Sequence, residues 1–213
     1  MTAQEQQYAA ILAQLRDHQE RERADVADFV NGALAADLER FAAALTRLSD
    51  NPIGLRSAFR RIGRHREKVP MSIRKAFVMM WFRNADHLRN QANDDLALIS
   101  ALRALLPPYR GKAVTLYRGD GAWNRKRRTY GVCWSRSQFV AEQHAASWAR
   151  YSTDGAVLLK TFAPPGAIIC ALLHHMESIE REYIVDRRHL SEVMVVQRYP
   201  VQRYQPNRAP DRS

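Results

Sequence analysis

The sequence predicts an α+β protein: a helical N-terminal region over residues 1–108, a β-rich region over 109–200, and a loose basic tail at 201–213. Three observations predict it. Apolar residues recur at spacings of three and four through the first half, the signature of amphipathic helices. After Pro107-Pro108 the runs become short, rich in Val, Ile, Leu and Tyr, and bounded by turn residues, the signature of strands. A single helix-patterned segment, 138–151, interrupts those strands. The 213 residues, 46% of them hydrophobic, suffice for a substantial core and argue against wholesale disorder. No stretch approaches the ~18 uninterrupted apolar residues of a membrane span. The first residues, Met1-Thr2-Ala3-Gln4-Glu5-Gln6, lack a basic start followed by an apolar core. A soluble protein folding in the cytoplasm, with no membrane partner, is the expectation.

The elements follow in order. From Gln6 to Asp50 the pattern is helical, first with Tyr8, Ile11, Leu12 and Leu15, then with Val26, Val30, Leu34, Leu38, Phe41, Leu45 and Leu48. Alternating spacings of four and three predict a packed helix pair or a short coiled coil. Such a stripe offers an arm for self-association or a surface for a neutralising partner; as plain architecture it is one side of a helical bundle. Asn51-Pro52-Ile53-Gly54 breaks the helix. Residues 51–90 hold ten Lys or Arg against Glu67 and Asp86, interleaved with apolar residues at helical spacing. Two amphipathic helices parted at Val69-Pro70 are predicted, with Ser72 or a neighbour capping the second. Ala92 to Leu106 reads as a further helix that buries Leu96, Leu98, Ile99, Leu102, Leu105 and Leu106, and Pro107-Pro108 stops it. Strands are then predicted over 113–117, 130–134, 156–162, 167–173, 183–185 and 193–199.

The formal net charge is +11, unevenly placed. Residues 1–50 carry five arginines against nine carboxylates, so the positive excess lies entirely in the remainder. That excess favours RNA, DNA or another acidic surface through long-range attraction and counterion release. Cys133 and Cys170 are the two cysteines, too few for a disulfide framework or a four-ligand zinc site. His174 and His175 are adjacent, so their side chains diverge, and no metal is expected.

Three short segments carry the chemistry. Leu116-Tyr117-Arg118-Gly119 ends a β-like run. The guanidinium fork of Arg118 suits a pyrophosphate, and Gly119 would let backbone approach a ligand. Cys133-Trp134-Ser135 precedes the 138–151 helix, where Ser135 and Gln138 have the spacing of a capping box. Glu180-Arg181-Glu182, if extended, sets both carboxylates on one face. Together these segments suit a phosphate-bearing ligand. No glycine-rich dinucleotide fingerprint or phosphate loop is present.

The three blocks, in this order over roughly residues 110–200, resemble the R-S-E class of ADP-ribosyltransferases: an arginine ending a first strand, a Ser-x-Ser/Thr segment, and Glu-x-Glu. The resemblance implies a split β-sandwich, NAD as cosubstrate in a cleft between two small sheets, and no metal. It implies that Arg118, with Tyr117 and Gly119 beside it, binds the NAD phosphates and that Ser135 shapes the nicotinamide-ribose pocket. Glu182 would stabilise the cationic, oxocarbenium-like sugar, and Glu180 would activate or orient the acceptor. Cys133 stands where the class has its first serine; a second register, Ser135-Arg136-Ser137, fits Ser-x-Ser literally. The implied activity is mono-ADP-ribosylation of a macromolecular acceptor, RNA, DNA or a protein, in a toxin or effector. Two alternatives share the residues: an NAD glycohydrolase, and a basic nucleic-acid-binding protein on a catalytically inactive fold.

Overall fold

The computed structural model describes residues 2–172 and 182–201. The chain divides into two compact units, Met1–Pro107 and Pro108–Ser213. The first is helical: α1 (Ala3–Leu34), α2 (Leu38–Ser49), α3 (Pro52–Gly63), α4 (Met71–Ala92) and α5 (Asp95–Leu105). Its centre is a chain of rings, Phe29 against Phe41 and Phe59, and Phe41 against Phe77, all fully buried. No helix among the described residues is long and apolar enough to cross a membrane.

The expected stripe from Gln6 to Asp50 is cut in two. Ala36 adopts a left-handed φ of 60°, Asp37 caps α2 by accepting from the Arg40 N–H, and Gly32 lets the start of α2 close in beside Phe41. Leu38, placed in the seam by its spacing, therefore stands exposed at the first position of α2, and Tyr8, Ile11, Leu12 and Leu15 are exposed as well. The bundle begins only at Val26. Asn51-Pro52 does more than break a helix: Asn51 accepts the Gly54 N–H and Pro52 takes the first helical position of α3, where a missing N–H costs nothing. The cap of α4 is Pro70, without a side-chain bond, rather than Ser72. The last helix starts at Asp95, later than expected, because Asn93 is left-handed and Asp94 accepts from the Leu96 and Ala97 N–H groups; Leu96 consequently faces solvent.

Arg74 ties this unit together without a carboxylate. Its buried guanidinium donates to the carbonyls of Val69 (3.1 Å), Leu106 (2.9 Å), Arg103 and Arg66.

The second unit comprises β1 (Val114–Gly121), α6 (Ala122–Arg127), β2 (Cys133–Ser135), α7 (Gln138–Tyr151), β3 (Ala156–Ala163), β4 (Ile168–Leu172), β5 (Glu182–Val185) and β6 (Met194–Tyr199), with single 3₁₀ turns at Pro165–Ala167 and Arg187–His189. The strands form one antiparallel sheet in the order β4-β5-β2-β1-β3-β6. The two separate sheets implied by the resemblance are thus one continuous sheet. Its central seam is thin: β1 and β2 share the single pair Tyr117 with Ser135, whereas β1 and β3 pair along all of β1. One face carries the core of Leu116, Trp134, Val157, Leu159, Tyr183 and Val185. On the other, α7 lies against β1 through Ala141 and Ala145.

Candidate functional site

Strand alternation sorts the candidate residues onto two faces. Leu116, Trp134 and Tyr183 point into the core, so Tyr117, Ser135 and Glu182 point to the opposite side. The register then aligns them: Lys160 opposes Tyr117, Tyr117 opposes Ser135, Ser135 opposes Glu182, and Glu182 opposes Leu172. Four of the five positions in this row, crossing β3, β1, β2 and β5, carry polar side chains. With strands about 4.8 Å apart, Tyr117 and Glu182 stand roughly 10 Å from one another with Ser135 between them. Lys160 holds its ammonium 5.9 Å from the centre of the Tyr117 ring. Ser135 is buried, and Tyr117, Lys160 and Glu182 are half-buried. The row spans the thin seam.

Cys133 lies on the same face two residues from Ser135, half-buried and opposite Ile184. Cys170 is buried on β4 and, like Cys133, forms no disulfide. Its thiol is pushed up to about 12, first by burial; an opposing hydrogen bond from the Ala171 backbone is outweighed, and the Glu182 charge adds to the rise. In the register, Glu182 pairs with Leu172 of β4 on one side and Ser135 of β2 on the other.

Arg118 is held on the other face. Its Nε donates to Asp120 Oδ2 at 2.6 Å and Nη1 to the Cys133 carbonyl at 2.5 Å, and its guanidinium lies so close over Gly131 that any side chain there would collide with it. The bond to Cys133 crosses from β1 to β2 at the place where ladder pairing lapses. Arg118 thus staples the seam, and its guanidinium is engaged internally rather than held open for a phosphate. Gly119 also has a packing reason: a methyl group there would overlap the backbone of Ala141 and Ala145 on α7. The close approach it permits is that of a helix.

Ser135 does not cap α7. Its Oγ accepts the Ser137 N–H (3.0 Å), and Ser137 is the cap, accepting from Val140 N–H. Gln138 instead donates to Glu142 one turn on. Glu180 lies outside the described residues, as do His174 and His175, so Glu182 alone represents the Glu-x-Glu block in the row.

Asp120 escaped sequence reading. It is fully buried and accepts from Arg118, the Gly121 N–H (2.9 Å), the Asn124 amide (2.8 Å) and the Gly131 N–H (3.1 Å). Burial alone raises its carboxyl; the Arg118 charge and these hydrogen bonds outweigh burial and hold it below the ordinary carboxylate value. The signal was present, since an arginine and an aspartate two apart on a strand share a face.

No group of three or more His, Cys, Asp or Glu suited to a metal ion occurs among the described residues. Comparison with protein families, with curated proteins and with solved structures finds no match for this chain.

Proposed function

We propose that the protein is an NAD-dependent mono-ADP-ribosyltransferase acting on a macromolecular acceptor, with Glu182 as its catalytic carboxylate. The observation that carries this reading is the row Tyr117–Ser135–Glu182 across the thin seam of the sheet. A hydroxyl flanked by a carboxylate on one side and an aromatic ring on the other suits a ribose bearing a flat heterocycle. NAD, when bound, supplies the glycosidic bond between nicotinamide and ribose that the reaction breaks. The Glu182 carboxylate faces the positive charge that develops on the ribose, an electrostatic stabilisation that grows as the site excludes water. Ser135, fixed by the Ser137 N–H, shapes the pocket wall beside it. Arg118 acts by holding β1 to β2 through the Cys133 carbonyl, and Lys160, on the face of the row, is the cation available to a phosphate. Glu180 keeps its proposed role toward the acceptor.

The test is incubation of the purified protein with labelled NAD and a cell extract, alongside Glu182→Gln, followed by separate nuclease and protease digestion. Transfer is expected to fall at least ~100-fold in the variant, the scale of a lost transition-state contact, with unchanged folding. The digestion that removes label identifies the acceptor class. Glu182-dependent release of free ADP-ribose without label on any macromolecule would make the protein a glycohydrolase. Absence of any NAD cleavage would remove the enzymatic reading.

A further inference from the structure

A second surface of the same unit lies beyond the C-terminal end of β1. Trp123 on α6, Trp148 and Tyr151 on α7, and Gly121 line one open groove, about 490 Å³ in volume. These rings are exposed by 49%, 43% and 82% respectively, an unusual amount of aromatic surface to leave in water. Trp148 and Tyr151 are three residues apart and share a helix face. A second groove of similar volume meets the first at Trp123 and Asp154, lined by Arg125, Lys126 and Arg198. Arg127 lies over the Trp123 ring, 5.4 Å from its centre. Arg125 spends two N–H groups on the Tyr130 hydroxyl and the Val193 carbonyl, and its buried Nε–H has no partner. Against these cations the grooves hold one acid, Asp154.

The combination selects a class of partner. A plain acidic protein surface would use the cations and leave three rings unexplained; an apolar partner would use the rings and leave the cations desolvated. A flexible polyanion with flat faces uses both, because phosphates follow the basic side while unpaired bases stack on the rings. A duplex keeps its bases stacked away from such rings. From the exposed aromatic trio and the adjoining cations, we infer that this double groove binds single-stranded nucleic acid. Binding is independent of the transferase reading; that the bound strand is the acceptor rests on it. Gly121, on the groove, is four residues along β1 from Tyr117, roughly 13 Å at strand rise, so a strand lying here passes near the catalytic row.

The experiment is fluorescence anisotropy of a labelled short oligothymidylate or oligouridylate with the full chain, without NAD, as potassium chloride is raised. A duplex of the same length and heparin serve as competitors. The single strand is expected to bind best and to quench intrinsic tryptophan fluorescence. Trp123→Ala or Trp148→Ala should weaken it roughly tenfold, the scale of a lost base–aromatic stack. Lys126→Gln with Arg127→Gln should lower the logarithmic salt slope by about 0.7 per cation removed. Tyr151→Ala, at the solvent-exposed end of α7, provides the same reading should a tryptophan variant fail to fold. Equal binding of duplex and heparin, unaffected by the aromatic substitutions, would overturn the inference and leave only adhesion of a basic chain to polyanions. So would absence of binding at low salt. The two readings are kept apart on the unaltered chain: strand binding with no NAD cleavage retains this site and removes the transferase, and NAD cleavage without strand binding does the reverse.

Discussion

Arg118 and Asp120 form a largely desolvated ion pair that reaches the central seam of the β-rich unit: Asp120 is inaccessible, and the Arg118 side chain is 13% exposed. Removing one partner of such a pair leaves the other buried and uncompensated, which costs more than the pair contributes. Asp120→Asn is therefore expected to destabilise the unit by about 3 kcal/mol, read by chemical denaturation, since it removes the charge and turns an amide N–H₂ toward groups that already donate. The pH dependence has a definite sign. The Asp120 carboxyl titrates lower in the folded state than in the unfolded one, so its contribution is complete above the unfolded value of about 4 and is lost as pH falls through the folded value. The denaturation midpoint should drop on acidification below that value, and the drop should be smaller in Asp120→Asn; equal acid sensitivity in both proteins would assign it to other groups. The i, i+2 spacing of this pair was legible in the sequence. The bond from Arg118 to Cys133 was not, because a backbone carbonyl fifteen positions away has no sequence signature.

The packing of α7 on β1 rests on Gly119, and Gly121 provides its control. A methyl group at Gly119 meets helix backbone, which cannot move aside as a side-chain tip can, whereas one at Gly121 approaches nothing closer than 3.9 Å. Gly119→Ala is expected to cost about 3 kcal/mol by overpacking and to disturb the row through Tyr117. Gly121→Ala should change thermal stability little, its φ of −62° being one any residue adopts. Comparable losses in the two variants would contradict this account of the helix–strand contact. At this scale the periodic elements were readable: the 138–151 helix stands where its pattern placed it, and the strands begin and end within a few residues of their expected limits. What eluded the sequence has local causes. The six residues of α6, rich in Arg and Lys, offer no apolar period. The cap of α7 falls on Ser137 because Ser135 is still in the β2 ladder, opposite Glu182. Pairing register, the feature that makes the row, is a tertiary property that no single segment encodes.

Across the whole molecule, the residues that build cores do not begin where the pattern of apolar residues begins. Tyr8, Ile11, Leu12 and Leu15 have helical spacing but are exposed by 65%, 46%, 37% and 52%, and the first buried residue of α1 is Val26, followed by Phe29, Val30 and Ala33. Helix in water without packing is marginal, because propagation barely offsets nucleation. The Thr2–Glu5 capping box steadies the first turn and adds nothing to the core. A chain starting at residue 21 is therefore expected to keep its stability to within about 0.5 kcal/mol, the range of surface changes, and to keep the NAD chemistry we propose for Glu182 where the full chain has it. A chain starting at residue 31 loses Val26, Phe29 and Val30, and with Phe29 the ring contacts to Phe41 and Phe59. Deleting one buried phenylalanine side chain alone costs about 3–5 kcal/mol, so this longer truncation should abolish cooperative folding of the helical unit. Thermal denaturation of the two truncations decides the matter. A large loss in the shorter one would mean that the exposed stripe is covered in solution, by a second copy or another partner, and would turn the first twenty residues from an appendage into an interface.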